Sequence, residues 1–277
     1  MDFVQHFSGK TCVITGAGSG IGRALSLSLA KAGAHLALSD INDETLEETK
    51  SLLGSSNRVM TDRLDVADAD AIIAYADHVK AAMGNADYVF NVAGIARVGS
   101  FDESPLSSFE TVMNVNLYGV VRMSKAFLGQ LRETKGGLVN ISSIFGIIGY
   151  PGQAEYCAAK FAVRGFSETL ATEMEPHGVS VTSVHPGGVA TNIARSAQVD
   201  VMPANGKTRA QMDAEFDKAA ITSAEEAARI ILTGTAKRKR RVIVGKDAKL
   251  VQLVQRVFPE NYFKVLRKLI PDMTDVL

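Results

Sequence analysis

Short apolar runs alternate along the chain with longer stretches in which apolar residues recur at helical spacing. Thr11-Cys12-Val13-Ile14 is a β-rich run ending at a glycine cluster, and Leu25, Leu29 and Ala32 then recur near helical spacing until Gly33. The alternation continues with a strand predicted over 35–39 and a helix over 43–53, then a strand over 58–64 and a helix over 68–83. Residues 87–91, 138–142, 179–184 and 241–244 complete seven predicted strands, and a helix is expected over 155–175. Strands interleaved with helices imply right-handed crossovers and parallel pairing, and runs such as Tyr88-Val89-Phe90 suit burial on both sides. The expected fold class is α/β, a doubly wound parallel sheet of seven strands with helices on both faces.

No low-complexity linker divides the chain, so residues 1–245 are expected to form one domain. Two regions depart from the alternation. Residues 192–222 mix turn formers with apolar residues (Met202, Pro203, Asn205, Gly206, Met212) and read as a lid or binding loop. Ser223 to Glu226 then reads as a capping box opening the next helix. Residues 246–277 read as an amphipathic helical extension. There Leu250, Val251, Leu253, Val254, Val257 and Phe258 precede Pro259, and Tyr262, Phe263, Val265, Leu266, Leu269 and Ile270 follow it, interspersed with Lys and Arg. Such a segment covers an apolar pocket or packs on another subunit, with weak contact to a membrane surface as the alternative.

Composition narrows the function. Apolar residues make up 46% and charged residues 22%, ordinary globular usage, and 30 basic side chains balance 30 acidic ones, so no field draws the whole protein onto nucleic acid or anionic membrane. Two cysteines, Cys12 and Cys157, are too few for a disulfide framework. There is no apolar run of membrane-spanning length, and Met1-Asp2-Phe3 does not open a signal peptide, so a cytoplasmic location is expected. His, Cys and acid spacings suggest no metal site.

The candidate chemistry begins where the first strand hands over to the first helix, at Thr15-Gly16-Ala17-Gly18-Ser19-Gly20-Ile21-Gly22. Glycines there let backbone approach a pyrophosphate, and the helix N-terminus offers free N–H groups and a positive dipole end. Asp40, at the end of the second strand, stands where an acid accepts from the ribose hydroxyls of NAD and repels a 2′-phosphate; by itself it also fits a turn leading into a helix. Tyr156 and Lys160 are one helical turn apart, on one face. A nearby ammonium is expected to lower the phenol pKa from about 10, poising it for proton exchange with a carbonyl or carbinol oxygen, though such a pair alone also matches a surface contact. Ser143 lies at the carboxyl end of the fifth strand, where open α/β sheets bind ligands, while Ser142 should point the other way.

Together these residues resemble the single-domain short-chain dehydrogenase/reductase family, over about residues 8–245, and so imply a Rossmann-like sheet. Thr15 to Gly22 is similar to the family's T-G-x-x-x-G-x-G loop, with Gly16, Ser19, Gly20, Ile21 and Gly22 as implied cofactor contacts. Asp65-Val66 resembles the pair beside the adenine ring, and Asp40 with Ile41 the ribose-selecting pair. Asn91-Val92-Ala93-Gly94 resembles the N-N-A-G motif with valine at the second position, implying contacts from Asn91, Ala93 and Gly94. Asn116 matches the asparagine that holds a water in the family's proton relay; Ser143, Tyr156 and Lys160 match the other catalytic positions. Pro186-Gly187 with Val189 and Thr191 resembles the segment at the nicotinamide end.

The resemblance implies an oxidoreductase that passes hydride between a substrate carbon and nicotinamide while Tyr156 exchanges the proton. The absence of a basic residue at Ser19 and Ile41 favours NAD over NADP. The apolar residues around Met202 and Met212 and the apolar tail suggest a steroid, retinoid or long-chain alcohol, with 192–222 as the substrate loop. A catalytically quiet dinucleotide sensor or scaffold is the alternative reading. Assembly as a homodimer or homotetramer through the 155–175 helix is implied by analogy. Cys157 reads as a packing residue and His185 as packing or lining the site, and the run Lys237 to Arg241 as a solvated turn, with docking to acidic lipid or a phosphate-bearing substrate tail as the alternative.

Overall fold

A computed structural model describes residues 2–54, 58–202 and 206–269; Pro203, Asn205 and Ile270, named above, lie outside them. The elements in chain order are α1 (Val4–Phe7), β1 (Thr11–Thr15), α2 (Gly20–Lys31), β2 (His35–Asp40), α3 (Asp43–Ser51), β3 (Val59–Arg63), α4 (Ala69–Met83), β4 (Tyr88–Asn91) and β5 (Arg97–Val98). There follow α5 (Leu106–Met113), a π-helical turn (Asn114–Tyr118), α6 (Gly119–Thr134), β6 (Gly137–Ile141), α7 (Ala154–Met174), β7 (Ser180–Pro186) and β8 (Gln198–Val199). The chain continues through α8 (Arg209–Ala219), α9 (Ala224–Ala236), β9 (Arg241–Val244), α10 (Lys246–Val257) and α11 (Tyr262–Leu269).

Seven parallel strands form one sheet in the order β3-β2-β1-β4-β6-β7-β9, the doubly wound architecture expected from the alternating pattern. The two-residue side-chain period of each strand divides its residues between two cores. Cys12 and Ile14 of β1, Leu36 and Leu38 of β2 and Val139 and Ile141 of β6 pack in one core with Leu25 and Leu29 of α2 and Ile231 and Leu232 of α9. Val13, Ala37 and Leu138, one register step away, pack in the other with Val79 of α4, Phe127 and Leu131 of α6 and Leu170 of α7. Covering both faces explains why these strands read as unbroken apolar runs.

The expected loop 192–222 is more ordered than its sequence suggests. It contains β8, which pairs in parallel with β5, and α8, opened by a complete capping box between Thr208 and Gln211. No residue of α8 is buried, so there was no apolar stripe to reveal it. The box expected at Ser223 is only half formed: Glu226 N–H donates to Ser223 Oγ at 3.1 Å, but the Glu226 carboxylate pairs with Arg229 instead. The basic turn is largely tied down, with Arg240 paired to Glu175, Arg241 to Glu168 and Arg238 donating to the Gly178 carbonyl.

Candidate active site

The sheet order reverses between β1 and β4, and a crevice at the carboxyl ends of the strands is expected at such a switch point. One wall is the glycine loop. Thr15 Oγ1 accepts from the N–H groups of Val92 (3.1 Å) and Ala93 (3.2 Å), locking the segment after β4 against the loop. Gly16 has φ +66°, and a Cβ there would stand 2.8 Å from Ala93 N. A Cβ on Gly22 would overlap the Gly16 carbonyl oxygen. Ser19 gives α2 no side-chain cap, so its first N–H groups are not taken up by that residue. Backbone close enough to exclude side chains, leading into an uncapped helix N-terminus, fits a dinucleotide pyrophosphate.

Asp40 accepts from Gly18 N–H at 2.9 Å on one oxygen and from Asn42 N–H at 3.0 Å on the other. Arg23, which the sequence reading passed over, holds the same loop from the opposite side, donating to Gly18 O (2.5 Å), Thr45 O (3.1 Å) and Glu48 Oε2 (2.8 Å). Ile41 is exposed beside it. Asp65 is exposed and forms a turn to Ala67 N–H, while Val66 is buried against Gly119. Thr191 packs its methyl over Gly20, and Val189 bridges to Thr222. Gly187 N–H donates to Val244 O, and Gly188 N–H to Asp247 Oδ2 at 2.7 Å, so the segment after Pro186 is gripped by β9 and α10.

Asn91 ends β4, between β1 and β6. Its side chain is buried, with Nδ2 donating to Asn140 Oδ1 at 2.8 Å and to Ser124 Oγ at 3.4 Å. It ties β4 to β6 and α6, while Ala93 lies against the glycine loop and Gly94 beside Lys160.

The catalytic candidates converge from three elements. Lys160, buried on α7, donates from Nζ to Ile141 O at 3.0 Å, and Nζ lies 5.5 Å from the Tyr156 ring centroid. Ser143 stands close enough to Tyr156 to draw the phenol pKa down, and its Oγ accepts from Phe145 N–H at 3.1 Å. Ser142 points elsewhere, as expected of an extended chain, donating to Lys160 O at 2.8 Å. Asn116 lies in the π-turn, a feature frequent at functional sites, and pairs in both directions with the Ile95 backbone at 2.8 Å. A Cβ on Gly94 would sit 3.1 Å from Asn116 Oδ1 and 3.6 Å from Lys160 Nζ, so the two side chains meet over a glycine. Phe145, also not foreseen, stands edge-on to Tyr156 at 6.3 Å and stacks on Tyr150.

The electrostatics correct one expectation. Burial pushes the Tyr156 hydroxyl up to about 12, against the opposing pull of its Ser143 hydrogen bond, rather than the lysine drawing it down. Burial likewise lowers Lys160 to about 8, so desolvation outweighs mutual attraction at this spacing. Cys157 is buried with its thiol pushed up, which suits a packing residue.

His185, fully buried at the end of β7, has both ring nitrogens engaged: Nδ1 lies 3.0 Å from the Ser143 carbonyl and Nε2 3.0 Å from Ser183 Oγ. A carbonyl only accepts, so Nδ1 carries the proton and the neutral ring holds the Ser143 backbone. Burial lowers its pKa to about 4 from 6.5. Between those values the unfolded chain binds the extra proton, so stability falls as pH drops through that window, by about 3 kcal/mol for this group. Urea unfolding at pH 7 and pH 4 should show His185→Asn losing correspondingly less stability on acidification than wild type. Equal losses would remove His185 from the acid sensitivity.

A family model described as short chain dehydrogenase matches residues 10–201. The chain is 46% identical over 270 residues to SadH of Mycobacterium tuberculosis, named an oxidoreductase, with 95% of this chain and 96% of the relative covered. It is 35% identical over 199 residues to D-threitol dehydrogenase of Mycolicibacterium smegmatis, covering 71% and 76%. Among solved structures it is similar to a short chain dehydrogenase/reductase from Burkholderia phymatum in complex with NAD, with TM-score 0.83 and 27% identity over 92% of this chain and 95% of that one.

Proposed function

The chain belongs to the short-chain dehydrogenase/reductase family and is an oxidoreductase, and from that premise we propose that it uses NAD to interconvert a secondary alcohol and its ketone on an apolar substrate. The observation that carries this reading is the convergence of Tyr156, Ser143 and Lys160 beside a glycine-lined cradle.

In the reductive direction Tyr156 gives its hydroxyl proton to the substrate oxygen, which Ser143 also holds; in the oxidative direction it takes the proton back. A phenol whose pKa lies near 12 stays protonated at neutral pH and is ready as an acid. Of the three Nζ donors of Lys160, one is committed to Ile141 O, leaving others for a ribose hydroxyl. Asn116 braces the Ile95 backbone after β4 and faces Lys160 across Gly94, where in this reading it would hold a water that relays protons. A nicotinamide held beside Tyr156 and Lys160 would supply the hydride chemistry, and its oxidised form would add a positive charge that favours the phenolate.

Preference for NAD rests on Asp40. Each of its oxygens spends one lone pair on a backbone N–H, and a carboxylate has about four such sites, so acceptors remain for two ribose hydroxyls. Arg23 and Arg63 flank it, but Arg23 is committed to Gly18, Thr45 and Glu48, and Arg63 to Ile41 O and Asp43. An apolar substrate suits Phe145, part-buried beside Tyr156, and the exposed Met202. The same reading assembles the chain as a dimer or tetramer through α7, whose Phe161 remains exposed.

A panel of secondary alcohols and ketones of increasing chain length, followed by nicotinamide absorbance with NAD and with NADP, tests this. A like charge placed against the 2′-phosphate costs several kcal/mol, so wild type should prefer NAD by at least about 100-fold in kcat/KM. Asp40→Ala with Ile41→Arg should reverse much of that preference. An unchanged ratio in the double variant would sink the NAD assignment, and no turnover with either cofactor would sink the activity.

A further inference from the structure

We propose that the outer face of α10 and α11 docks the protein on an anionic lipid surface, a property the oxidoreductase reading does not require. The inner face of these helices is accounted for. Ala248, Val251, Val254 and Leu266 pack on Ile144, Ile147 and Ile148, Asp247 accepts from Gly188 N–H, and the Tyr262 hydroxyl accepts from Gly149 N–H at 3.0 Å. The outer face has no such partner within the described chain, yet it is apolar. Leu250, Leu253 and Val257 of α10 and Phe258 at its end are between 40% and 60% exposed.

The charges around them have one sign. At 3.6 residues per turn, Lys246, Lys249 and Arg256 fall with Leu250, Leu253 and Val257 inside an arc of roughly 120° on α10. Lys264, Arg267 and Lys268 share an arc of roughly 100° on α11, opposite the buried Leu266. Against these six cations the described tail sets two acids, Asp247, which is turned onto Gly188, and Glu260; Asp272 and Asp275 follow in sequence beyond the described residues. Leucines, valine and phenylalanine ringed by lysine and arginine match an interface of acyl chains and anionic headgroups. A second copy of the chain would bring the same cations face to face, which disfavours that occupant. No described helix is long and apolar enough to cross a membrane, so the contact is one of lying on the surface. The docked face lies directly outside the segment that follows Ser143, which would bring lipid-dissolved substrates to the site.

The full-length protein should co-sediment with vesicles of phosphatidylglycerol and phosphatidylcholine mixed, in a salt-sensitive manner, and far less with phosphatidylcholine alone. Each basic residue removed should weaken the partition about fivefold. The triple variant Lys249→Gln, Arg256→Gln, Arg267→Gln should therefore lose about 100-fold in partition while keeping wild-type circular dichroism and melting, since all three positions are exposed. Leu253→Ser should weaken binding further. If the substituted chains fold poorly, the salt dependence of wild-type binding decides by itself. The proposal is overturned by failure of wild type to bind the mixed vesicles, by equal binding to both vesicle types, or by a triple variant that binds as well as wild type. Finding that Leu253→Ser dissociates an oligomer of a chain indifferent to vesicles would assign the face to self-association and overturn it as well. Turnover is not the readout, so a wrong catalytic assignment would leave these results standing.

Discussion

Replacing Tyr156 by phenylalanine is expected to lower kcat by about 10²- to 10⁴-fold in both directions while leaving nicotinamide cofactor affinity unchanged. The hydroxyl is the group argued to meet the reacting oxygen beside Ser143, and among the described residues His185, the other titratable group against Ser143, is committed to its backbone carbonyl. The ring itself should stay in place, because its edge-on packing against Phe145 does not involve the hydroxyl. Loss of kcat with an intact cofactor Kd, measured by fluorescence titration of the reduced dinucleotide, separates a missing proton from a damaged pocket. The wild-type pH profile carries a companion expectation. Because burial holds the phenol near 12, reduction should not depend on the tyrosine through neutral pH, whereas oxidation, which needs the base, should rise with pH. A phenylalanine variant as fast as wild type would overturn the assignment of Tyr156 as the proton carrier.

The direction of that pKa shift marks the limit of what the sequence could tell. Spacing placed Tyr156 and Lys160 on one helix face and suggested that the ammonium would acidify the phenol. The helix is present, but the pair is desolvated, and burial penalises both charged forms more than their attraction repays. Features fixed by local chemistry were readable: the doubly buried strands, the glycine loop, and serines 142 and 143 pointing apart. Features created by distant pairing were not. Arg97 and Asp200 lie far apart in sequence, yet their 2.7 Å ion pair joins β5 to the segment after β8. The motif marks Asn91, but the side-chain partner Asn140 comes from the neighbouring strand, and only the sheet order reveals that pairing. His185 was read as packing; it is packed, and what it packs against is the backbone of Ser143.

Glycine-to-alanine substitution is expected to have opposite effects at two positions of the chain. At Gly129, on the exposed face of α6, an added Cβ meets nothing within 4 Å. The helix there gains by losing glycine's conformational freedom, so Gly129→Ala should stabilise the protein by about 1 kcal/mol and leave cofactor binding untouched. At Gly22 the same methyl would overlap the carbonyl oxygen of Gly16 and press on Ala17 Cα. Neither neighbour is a flexible side chain, so the turn between β1 and α2 must open, and overpacking of this kind costs ~1–3 kcal/mol. That displacement falls on the backbone argued to face the pyrophosphate, so Gly22→Ala should weaken dinucleotide binding by about 10- to 100-fold as well as lowering the melting temperature. Calorimetric titration with NAD beside thermal melts of both variants reads the two effects separately. If Gly22→Ala binds NAD as wild type does, the cofactor does not lie on this loop, and Tyr156 would be left without the hydride partner on which its chemistry depends.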